Sequence, residues 1–451
     1  MKLYNALSHK VEEFKPINPE QVKIYTCGPT VYSFAHIGNY TAYIYWDLLM
    51  RVLKANGYGV KRVMNITDVG HLTSDGDEGE DKMEKGARRE GKTVWEVAQF
   101  YMDDFMKNFH ELGLIEPDEV CRATDFVEAQ MRMVDVLDEK GYLYDTEDGL
   151  YFDTSKFPTY ADFARLDLEN LKAGARIEFS VEKRNVSDFA VWKWIREGED
   201  HAMKWEYRGR MGYPGWHLEC STIIHEELGE PIDIHTGGVD HVPVHHTNEI
   251  AQSEAAFGVK MANYWTHCNH ITAEGEKISK SLGNVYYFSD LAERGFTMND
   301  YKLWIFQGHY QANRNFSFAD LGAAHQRLLN YRNFAALRWQ RDVVDFTTTR
   351  EKMMEQLNAN MNSAGALAEL DVAIKQGAPD DEFLNFLDEI FGLQIAESTP
   401  DISDELKEKI AQRVKAKEAK DYALADSLRG EIEREGIEVL HTAQGPVWHY
   451  K

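Results

Sequence analysis

A strand, a helix and a second strand follow one another near the start of the chain, and this order constrains the fold more than any other feature. The sequence predicts a strand at Val22–Thr26, a helix over residues 41–56 and a second strand at Val60–Ile66. When a helix joins two apolar strands, the strands pair in parallel through a right-handed crossover. We therefore expect an α/β fold with a parallel sheet, in which ligands collect at the carboxyl ends of the strands.

The middle of the chain alternates between loop, helix and strand patterns. An acidic, Gly-rich stretch at 74–81 predicts a loop, and an amphipathic helical pattern runs from 94 to 140. Short strand patterns at 149–153 and 188–193 indicate an insertion within the α/β domain. The parallel sheet is expected to resume near 232–235, an apolar strand that leads into two glycines.

The C-terminal third is predicted to be mostly helical. Helical pattern continues from 282 to about 395, and a polar Ser-Thr-Pro-Asp linker at 398–401 separates it from the last fifty residues. Those residues predict two helices, the first carrying several Lys and Arg side chains, and a terminal hairpin.

Composition limits the class of protein. At 451 residues, with 43% apolar and 12% aromatic residues, the chain can bury several cores. No long apolar run and no signal-peptide pattern are found, so we expect a cytoplasmic protein that does not span a membrane. The four separated cysteines do not form a secreted disulfide framework. A net charge of −25 argues against indiscriminate nucleic-acid binding, although a local basic surface could still bind one nucleic acid.

Two short motifs supply groups suited to the phosphates of ATP. His36-Ile37-Gly38-Asn39 lies between the first strand and the predicted helix start near Thr41, and Lys277-Ile278-Ser279-Lys280-Ser281 lies in a later Gly-flanked loop. A helix N-terminus attracts phosphate, and His and Lys side chains can neutralise charge that develops during its transfer. This pair of motifs resembles that of the class I aminoacyl-tRNA synthetases, which form aminoacyl-adenylates.

Four residues form a candidate zinc site. His245 and Glu249 lie four residues apart in a helix predicted over 244–257, a spacing that puts both on one face. Cys27 and Cys220 are predicted at loop–strand junctions of the same domain, and thiolate and imidazole ligands favour zinc. Taken alone, the same residues also fit two buried apolar thiols and an ordinary helical pair.

Several segments in order resemble the cysteinyl-tRNA synthetase family across essentially the whole chain. The segments that carry this resemblance are YTCGPTVY at 25–32, NITD at 65–68, KRN at 183–185 with the Asp-Phe and Trp-Lys pairs at 188–193, PGWHLECS at 214–221, HHTNEIAQ at 245–252, KISKSLGN at 277–284 and KEAKDYALAD at 417–426. The resemblance implies a Rossmann-like parallel-sheet catalytic domain with an insertion, a helical bundle and a small α+β anticodon-binding domain. The implied boundaries are 1–120 and 206–260 for the catalytic halves, 121–205 for the insertion, 261–320 for the stem-contact region, 321–397 for the bundle and 400–451 for the anticodon-binding domain.

The resemblance also implies an activity. A cysteine–tRNA ligase activates L-cysteine with ATP, releases pyrophosphate and transfers the cysteinyl group to the 3′-terminal adenosine of tRNA-Cys. One Zn²⁺ per chain would bind the substrate thiolate, Mg²⁺ would accompany ATP, and the chain is expected to act as a monomer.

Site residues follow from the matching motifs. The implied zinc ligands are Cys27, Cys220, His245 and Glu249. Catalytic roles fall on His36, Asn39, Lys277 and Lys280, and the ATP site would include His36, Gly38, Asn39, Gly237, Gly238, Asp240 and Lys280. Contacts to the substrate cysteine would come from Cys27, Gly28, Thr30, Thr67 and Trp216. Arg429 and Trp448 are the candidates for the anticodon, the latter as a base-stacking platform.

Some positions depart from the family pattern, and alternatives follow from them. Asn39 occupies a position where the family motif has His, and Ile278 occupies one where it has Met. His246 is an alternative to His245 as the zinc ligand. The other departures near the site are Gly70, His71, His241, Pro243, Val244 and Thr247.

Two other functions are weighed. A small-molecule ligase would join cysteine to an amine but would lack the C-terminal domain, and a non-catalytic zinc and RNA-binding relative would not need both His36 and Lys280.

Overall fold

The computed structural model describes residues 1–69, 82–167, 183–196, 198, 201–279, 282–442 and 445–451. The predicted acidic loop at 74–81 therefore lies outside the described residues. Contacts divide the chain into two compact units. The first comprises Met1–Thr272, Lys277–Tyr287 and Tyr310–Arg314, and the second comprises Ala273–Glu276, Phe288–His309 and Asn315–Lys451.

The first unit is built on a five-stranded parallel sheet, here called the central sheet. Its strands, from one edge to the other, are Ala262–Cys268, Ile232–Gly238, Val22–Thr26, Val60–Ile66 and Glu119–Arg122. All four neighbouring pairs are parallel. Numbered along the chain within this sheet, the first strand, Val22–Thr26, lies between the second, Val60–Ile66, and the fourth, Ile232–Gly238, so the strand order reverses there. The predicted Rossmann-like α/β class is confirmed.

The helix that joins the first two strands begins earlier than the sequence predicts. It spans Ile37–Ala55, whereas the apolar pattern suggested a start near Thr41. The prediction was wrong because Gly38 and Asn39 are poor helix formers and conceal the first turn. That turn is held by its cap, since the backbone N–H of His36 donates to Asn39 Oδ1 at 3.0 Å. The first phosphate motif is therefore the helix N-terminus itself.

The segment from 94 to 140, predicted as continuous helix, contains an edge strand. Helices at Val94–Glu111 and Val127–Glu139 flank the strand Glu119–Arg122, which pairs with Val60–Ile66. A four-residue strand carries too little alternation to interrupt a strong helical pattern, so the sequence prediction missed it.

The predicted insertion, 121–205, contributes most of an antiparallel sheet within the first unit, and this sheet continues past the predicted boundary to Pro214. Its strands, in spatial order, are Leu143–Asp145, Gly149–Phe152, Phe189–Trp194, Arg210–Pro214 and Trp205–Tyr207. Their buried aromatic side chains pack with the helix Val127–Glu139 into one core. The chain then returns to the central sheet through the helix Trp216–Glu227.

The second unit is mainly helical. Its helices are Phe288–Glu293, Met298–Phe306, Phe318–Ala336, Thr347–Asn358, Ser363–Ala373, Asp381–Phe391, Asp404–Glu418 and Tyr422–Arg434. The chain ends in an antiparallel hairpin of Ile437–Thr442 and Gly445–Tyr450. The last two helices and the hairpin share an apolar cluster with Ala336. Helices, linker and hairpin occur in the predicted order, while the finer domain boundaries remain predictions.

The remaining described elements are short. They are the strands Lys2–Asn5, Lys10–Glu13, Ile271–Ala273, Glu276–Lys277 and Arg314–Phe316, and the helices Lys82–Glu90, Ala123–Phe126, Thr154–Lys156, Val239–His241, Val242–His246, Thr247–Phe257 and Leu337–Trp339. Among the described helices, none combines the length and apolar character that a membrane span needs.

Candidate active site and metal centre

A cleft of about 1310 Å³ opens where the strand order of the central sheet reverses. Ligands of open α/β sheets bind at this crevice, because the loops on either side leave in opposite directions. The predicted site residues that line the cleft are Cys27, Gly28, Thr30, His36, Gly38, Asn39, Thr67, Trp216, Cys220, Gly237, Gly238, Asp240, His245 and Lys277. Lys280, Gly70 and His71 lie outside the described residues.

The four predicted metal ligands come together. The donor atoms of Cys27, Cys220, His245 and Glu249 all lie within 4.8 Å of one another, and all four residues are buried. Cys27 directly follows the strand Val22–Thr26, as predicted. Cys220 was predicted at a loop–strand junction, which is wrong: it lies in the helix Trp216–Glu227. The helical spacing of PGWHLECS was hidden because the segment begins with Pro and Gly.

His245 belongs to an unusual helical turn. The helix predicted over 244–257 is α-helical from Thr247, and Val242–His246 forms a π-helical turn before it. His245 Nε2 still lies 2.8 Å from Glu249 Oε1. Single π turns widen a helix locally and occur frequently at functional sites. The turn lets both His245 and His246 lie beside the buried thiols.

A second donor set overlaps the first. Cys27, His235, His246 and Glu249 also place their donor atoms within 4.8 Å of one another. His246 Nε2 lies 3.4 Å from Cys27 Sγ, and His235 Nε2 lies 2.8 Å from Glu249 Oε2. Cys27 and Glu249 are common to both sets. The structure thus brings both His245 and the alternative ligand, His246, within reach of the same centre.

The charges at this centre favour a divalent cation. Burial opposes ionisation, but the hydrogen bond with Cys220 and the charge of His246 hold the pKa of the Cys27 thiol well below its usual value. Burial likewise acts against the charge of Glu249, yet His235 and His245 lower its pKa to about 2. Against the effect of burial, Glu249 and Cys27 raise the pKa of His245 to about 10. A cation would displace the proton of His245 and remain paired with two anionic donors.

Three more histidines position these donors. His217 Nδ1 lies 3.0 Å from His245 Nδ1, and His267 Nε2 lies 2.7 Å from His246 Nδ1. The ring of His235 stacks on Trp265 with a centroid distance of 4.3 Å. Hydrogen bonds to the second ring nitrogen fix the tautomer and orientation of a ligating imidazole. Burial lowers the pKa of His217 and His267, to about 3 for the latter, so both stay neutral.

The predicted substrate residues lie beside the donors. Thr67 Oγ1 donates to Glu219 Oε1 at 2.5 Å and accepts from Asn65 Nδ2 at 3.0 Å. Thr30 pairs with Thr67 in an isolated parallel bridge, and the backbone N–H of Gly28 donates to Asn65 Oδ1 at 2.7 Å. These contacts tie the segment after the first strand to the end of the second.

Trp216 forms one wall next to the metal centre. Its ring centroid lies 4.2 Å from that of His245 and 5.2 Å from that of His217. The side chain is half-buried and lines the cleft. A flat apolar surface beside two thiols and an imidazole suits a small side chain that carries sulfur.

The two phosphate motifs touch. A Cβ placed on Gly38 would lie 2.9 Å from Ile278 Cδ1 and 2.9 Å from His36 Cε1, so a side chain at this position would separate them. The backbone N–H of Ile37 also donates to the carbonyl of Tyr286 at 2.9 Å. Asn284 holds the second motif, since Oδ1 accepts from Ser279 N at 2.8 Å and Nδ2 donates to Lys277 O at 3.0 Å.

The polar groups of the ATP site also have defined partners. Oδ1 of Asn39 accepts from the N–H of His36, which leaves Nδ2 as the donor available to a phosphate. Asp240 is exposed and its Oδ1 lies 2.7 Å from His270 Nε2. His270, with neighbours on the same segment, also lines the cleft.

The two anticodon candidates have different surroundings. The Arg429 side chain is 54% exposed and lies near Asp426 and Glu433 on its own helix. Trp448 is 5% exposed and packs in the apolar cluster of the C-terminal helices and hairpin. Its faces are not open to a base in this structure, which supports a core role better than a stacking platform.

Several residues at the site were not identified from the sequence. His217, His235 and His267 contact the donors, and Glu219 and Asn65 hold Thr67. A lone His is usually an ordinary hydrogen-bonding residue, so the sequence by itself does not mark His217 or His235 as part of a site. The adjacency of Glu219 to Cys220 was a signal that could have found it. His225 lies apart, stacked on Phe257 and beside Glu230.

Comparison with known proteins identifies the family. Residues 13–326 match the family model described as the tRNA synthetases class I (C) catalytic domain. Cysteine–tRNA ligase 1 of Burkholderia lata is 41% identical over 455 residues, covering 99% of this chain and 96% of that protein. The chain belongs to the class I cysteine–tRNA ligase family. The cysteine–tRNA ligase of Treponema denticola is 37% identical and covers 99% of both chains.

Solved structures of the family's class share the fold. Methionyl-tRNA synthetase of Mycobacterium tuberculosis bound by methionyl-adenylate matches with a TM-score of 0.58 at 15% identity, covering 84% of each chain. A leucyl-tRNA synthetase complex from Agrobacterium radiobacter K84 matches with a TM-score of 0.61 at 12% identity, covering 87% of this chain and 88% of that one. The predicted class I family membership and aminoacyl-tRNA ligase activity are confirmed.

Proposed function

We propose that this ligase activates L-cysteine with ATP and transfers it to the 3′-terminal adenosine of tRNA-Cys. The observation that carries the proposal is one cleft lined both by Cys27, Cys220 and His245 of the donor set and by the two touching phosphate motifs. The names of the full-length relatives agree with this substrate.

Selection of cysteine over serine needs more than the shape of the pocket. The two substrates differ by one atom, and a pocket that relies on shape separates such analogues by about 1–3 kcal/mol. When bound, zinc supplies a bond to the substrate thiolate that a neutral hydroxyl cannot match. Cys27, Cys220, His245 and Glu249 are the residues suited to hold it, and their thiolate and imidazole donors favour zinc over magnesium.

The pocket residues then orient the amino acid. Trp216 would cover the side chain, and Thr67, held by Glu219, would fix the substrate near the end of the second strand. With the side chain of the substrate cysteine anchored, the carboxylate of the substrate would extend toward the phosphate motifs. A carboxylate oxygen would attack the α-phosphorus of ATP, the bond to the bridging oxygen would break, and pyrophosphate would leave.

The phosphate motifs stabilise the charge of this step. His36 and Asn39 lie at the helix N-terminus, where the positive end of the helix dipole attracts phosphate. Lys277, and by resemblance Lys280, add cations that act most strongly as charge develops in the transition state. Mg²⁺ would accompany the leaving phosphates, and Asp240 would accept hydrogen bonds from the ribose.

In the second step, a ribose hydroxyl of the 3′-terminal adenosine would attack the carbonyl carbon of the adenylate. The cysteinyl group would pass to that oxygen, the proton would leave the hydroxyl, and AMP would depart. Arg429 on the helix Tyr422–Arg434 is proposed to help bind the anticodon.

The experiment that tests the proposal is charging of bulk tRNA with labelled cysteine by the purified protein and ATP. Labelled cysteinyl-tRNA, with little charging by serine, is the expected result. Pyrophosphate exchange that depends on cysteine but produces no charged tRNA would contradict the proposal and favour a ligase for a small-molecule amine. Absence of both reactions would contradict cysteine activation.

A further inference from the structure

An exposed aromatic ring stands at the cleft, two residues before the first phosphate motif. Phe34 is 43% exposed and lines the cleft. Its ring contacts those of Tyr101, Phe100 and Tyr287 edge-on or nearly so, at centroid distances of 5.0, 5.8 and 6.2 Å. Contacts of this geometry hold the ring in a defined orientation, while 43% of the residue stays exposed. Phe34 is thus a supported aromatic surface beside the ATP motif.

A row of cations borders the same cleft. Lys82, Lys85 and Arg89 lie at helical spacings of three and four residues, which places them on one face of the helix Lys82–Glu90. All three line the cleft. The helix carries four basic and two acidic residues, and Arg89 Nε lies 2.9 Å from Glu90 Oε1. Its net positive charge contrasts with the net charge of −25 of the whole chain.

The row and the ring are joined by specific contacts. Arg89 Nη2 donates to the carbonyl of Tyr32 and to the hydroxyl of Tyr101, each at 3.0 Å. Gly86 packs closely against the same carbonyl, since a Cβ there would lie 3.0 Å from it. The helix is therefore fixed to the segment that carries Phe34, and the cations keep a set position beside the ring.

We infer that Phe34 and the row Lys82, Lys85 and Arg89 bind the single-stranded 3′ end of the tRNA. This inference rests on the proposed function. Proteins bind single strands by stacking bases on aromatic faces next to cations that contact the phosphates. Transfer brings the terminal adenosine to the adenylate, so the preceding nucleotide must lie at the entrance of the cleft. Its base stacks on Phe34 and its phosphates lie along Lys82 and Lys85.

The test follows stacking directly. A tRNA that carries 2-aminopurine immediately before the terminal adenosine is titrated with the full-length protein, and its fluorescence reports stacking. Wild-type protein and Phe34→Tyr should quench the probe, whereas Phe34→Ala should not. In single-turnover transfer from preformed adenylate, Phe34→Ala should lower tRNA affinity or rate about tenfold or more, with Phe34→Tyr restoring it.

The chain offers matched controls. Trp95 is 45% exposed, close to the value for Phe34, but is not among the residues that line the cleft, so Trp95→Ala should leave quenching and transfer unchanged. For the cations, Lys85→Ala should reduce the slope of log KM for tRNA against log salt by about 0.7. Lys107→Ala, an exposed lysine on the neighbouring helix Val94–Glu111, should leave that slope unchanged.

Three outcomes would overturn the inference while wild-type charging still supports the proposed function. Quenching retained in Phe34→Ala would show that the base does not stack there. A KM for ATP that is raised in Phe34→Ala, measured by pyrophosphate exchange, would assign the Phe34 ring to the nucleotide pocket. Equal effects of Trp95→Ala and Phe34→Ala would indicate a general loss of folding.

Discussion

At the scale of single residues, the metal centre is defined by how its donors are held. Glu249 contacts His235 through one oxygen and His245 through the other. Cys27 lies beside His246, which is itself fixed by His267. Glu249, His245 and Cys27 thus have partners that restrain their direction, so these donors need little reorganisation when a cation enters.

Cys220→Ser should remove both the metal and the selectivity. A hydroxyl is a poor zinc ligand. Removing a residue that only hydrogen-bonds to a metal ligand weakens metal binding roughly 10–100-fold, so removing a ligand itself should weaken zinc binding by more than that. Bound zinc is measured by elemental analysis, and selectivity by the ratio of cysteine to serine in pyrophosphate exchange. Cys121→Ser is a matched control, because Cys121 is also buried but lies outside both donor sets. A fully metallated, still selective Cys220→Ser protein would refute the ligand assignment.

Lys280→Ala should impair adenylate formation and leave zinc bound. Removing one group that stabilises transition-state charge lowers the rate about 10²–10³-fold. The measurement is cysteine-dependent pyrophosphate exchange together with zinc content. Lys107→Ala serves as the control, since that lysine is 70% exposed and paired with Glu111. Exchange at the wild-type rate would exclude a catalytic role for Lys280.

At the scale of elements, the site depends on a close approach between two strand ends. A Cβ on Gly28 would lie 1.6 Å from the carbonyl oxygen of Asn65, a distance that no side chain can occupy. The loop after the first strand therefore lies directly on the end of the second, and Thr30 and Thr67 can pair. This approach sets the width of the cleft beside Cys27.

Gly28→Ala should lower stability and disturb the metal centre together. Overpacking of this kind destabilises by about 1–3 kcal/mol or more, and the displaced loop carries Cys27. Melting temperature and zinc content are the two readouts. Gly322→Ala is the control, because a Cβ there meets nothing within 4 Å and the residue lies inside the helix Phe318–Ala336. That variant should gain up to about 1 kcal/mol. Equal melting temperatures for the two variants would contradict this account.

The sequence predicted the elements with strong local patterns and missed those that depend on contacts between distant segments. The parallel sheet and the C-terminal order follow from periodicity and turn residues. The strand Glu119–Arg122 exists because it pairs with Val60–Ile66, a contact that no local pattern reveals. The helix start at Ile37 was hidden by two poor helix formers whose cap bond stabilises them.

The same limit applies to the candidate site. The phosphate motifs are short, chemically specific patterns. The zinc ligands were instead implied by the resemblance of several segments to the cysteinyl-tRNA synthetase family, because the four residues alone also fit two buried thiols and an ordinary helical pair. The positions of His217, His235 and His267 could not be predicted, since their contacts join residues 14 to 28 apart on different elements. No single helix or strand contains both residues of any of these pairs, so the periodic pattern of one element cannot group them.

At the scale of the whole molecule, an acidic chain must bind an anionic substrate. With a net charge of −25, general attraction to RNA is absent, and recognition has to rely on local cations. The exposed Arg429 is one candidate in the second unit.

Arg429→Ala should raise KM for tRNA several-fold and reduce its salt slope by about 0.7 per lost phosphate contact. Cysteine-dependent pyrophosphate exchange, which does not involve tRNA, should stay at the wild-type rate. Arg350→Ala is the control: its side chain is 47% exposed and pairs with Glu382 in the predicted helical bundle. If both variants change KM equally, the effect comes from net charge and not from a contact of Arg429.

The position of the first strand has a consequence for synthesis on the ribosome. Val22–Thr26 is bonded on one side to Val60–Ile66 and on the other to Ile232–Gly238. The second partner leaves the ribosome long after the first, roughly 9–34 s later at ordinary elongation rates. During that interval the nascent chain carries a bare strand edge next to the segment that becomes the active site, and such edges invite pairing with other chains. A chaperone that covers this edge would raise the yield of active enzyme without changing the stability of the finished protein.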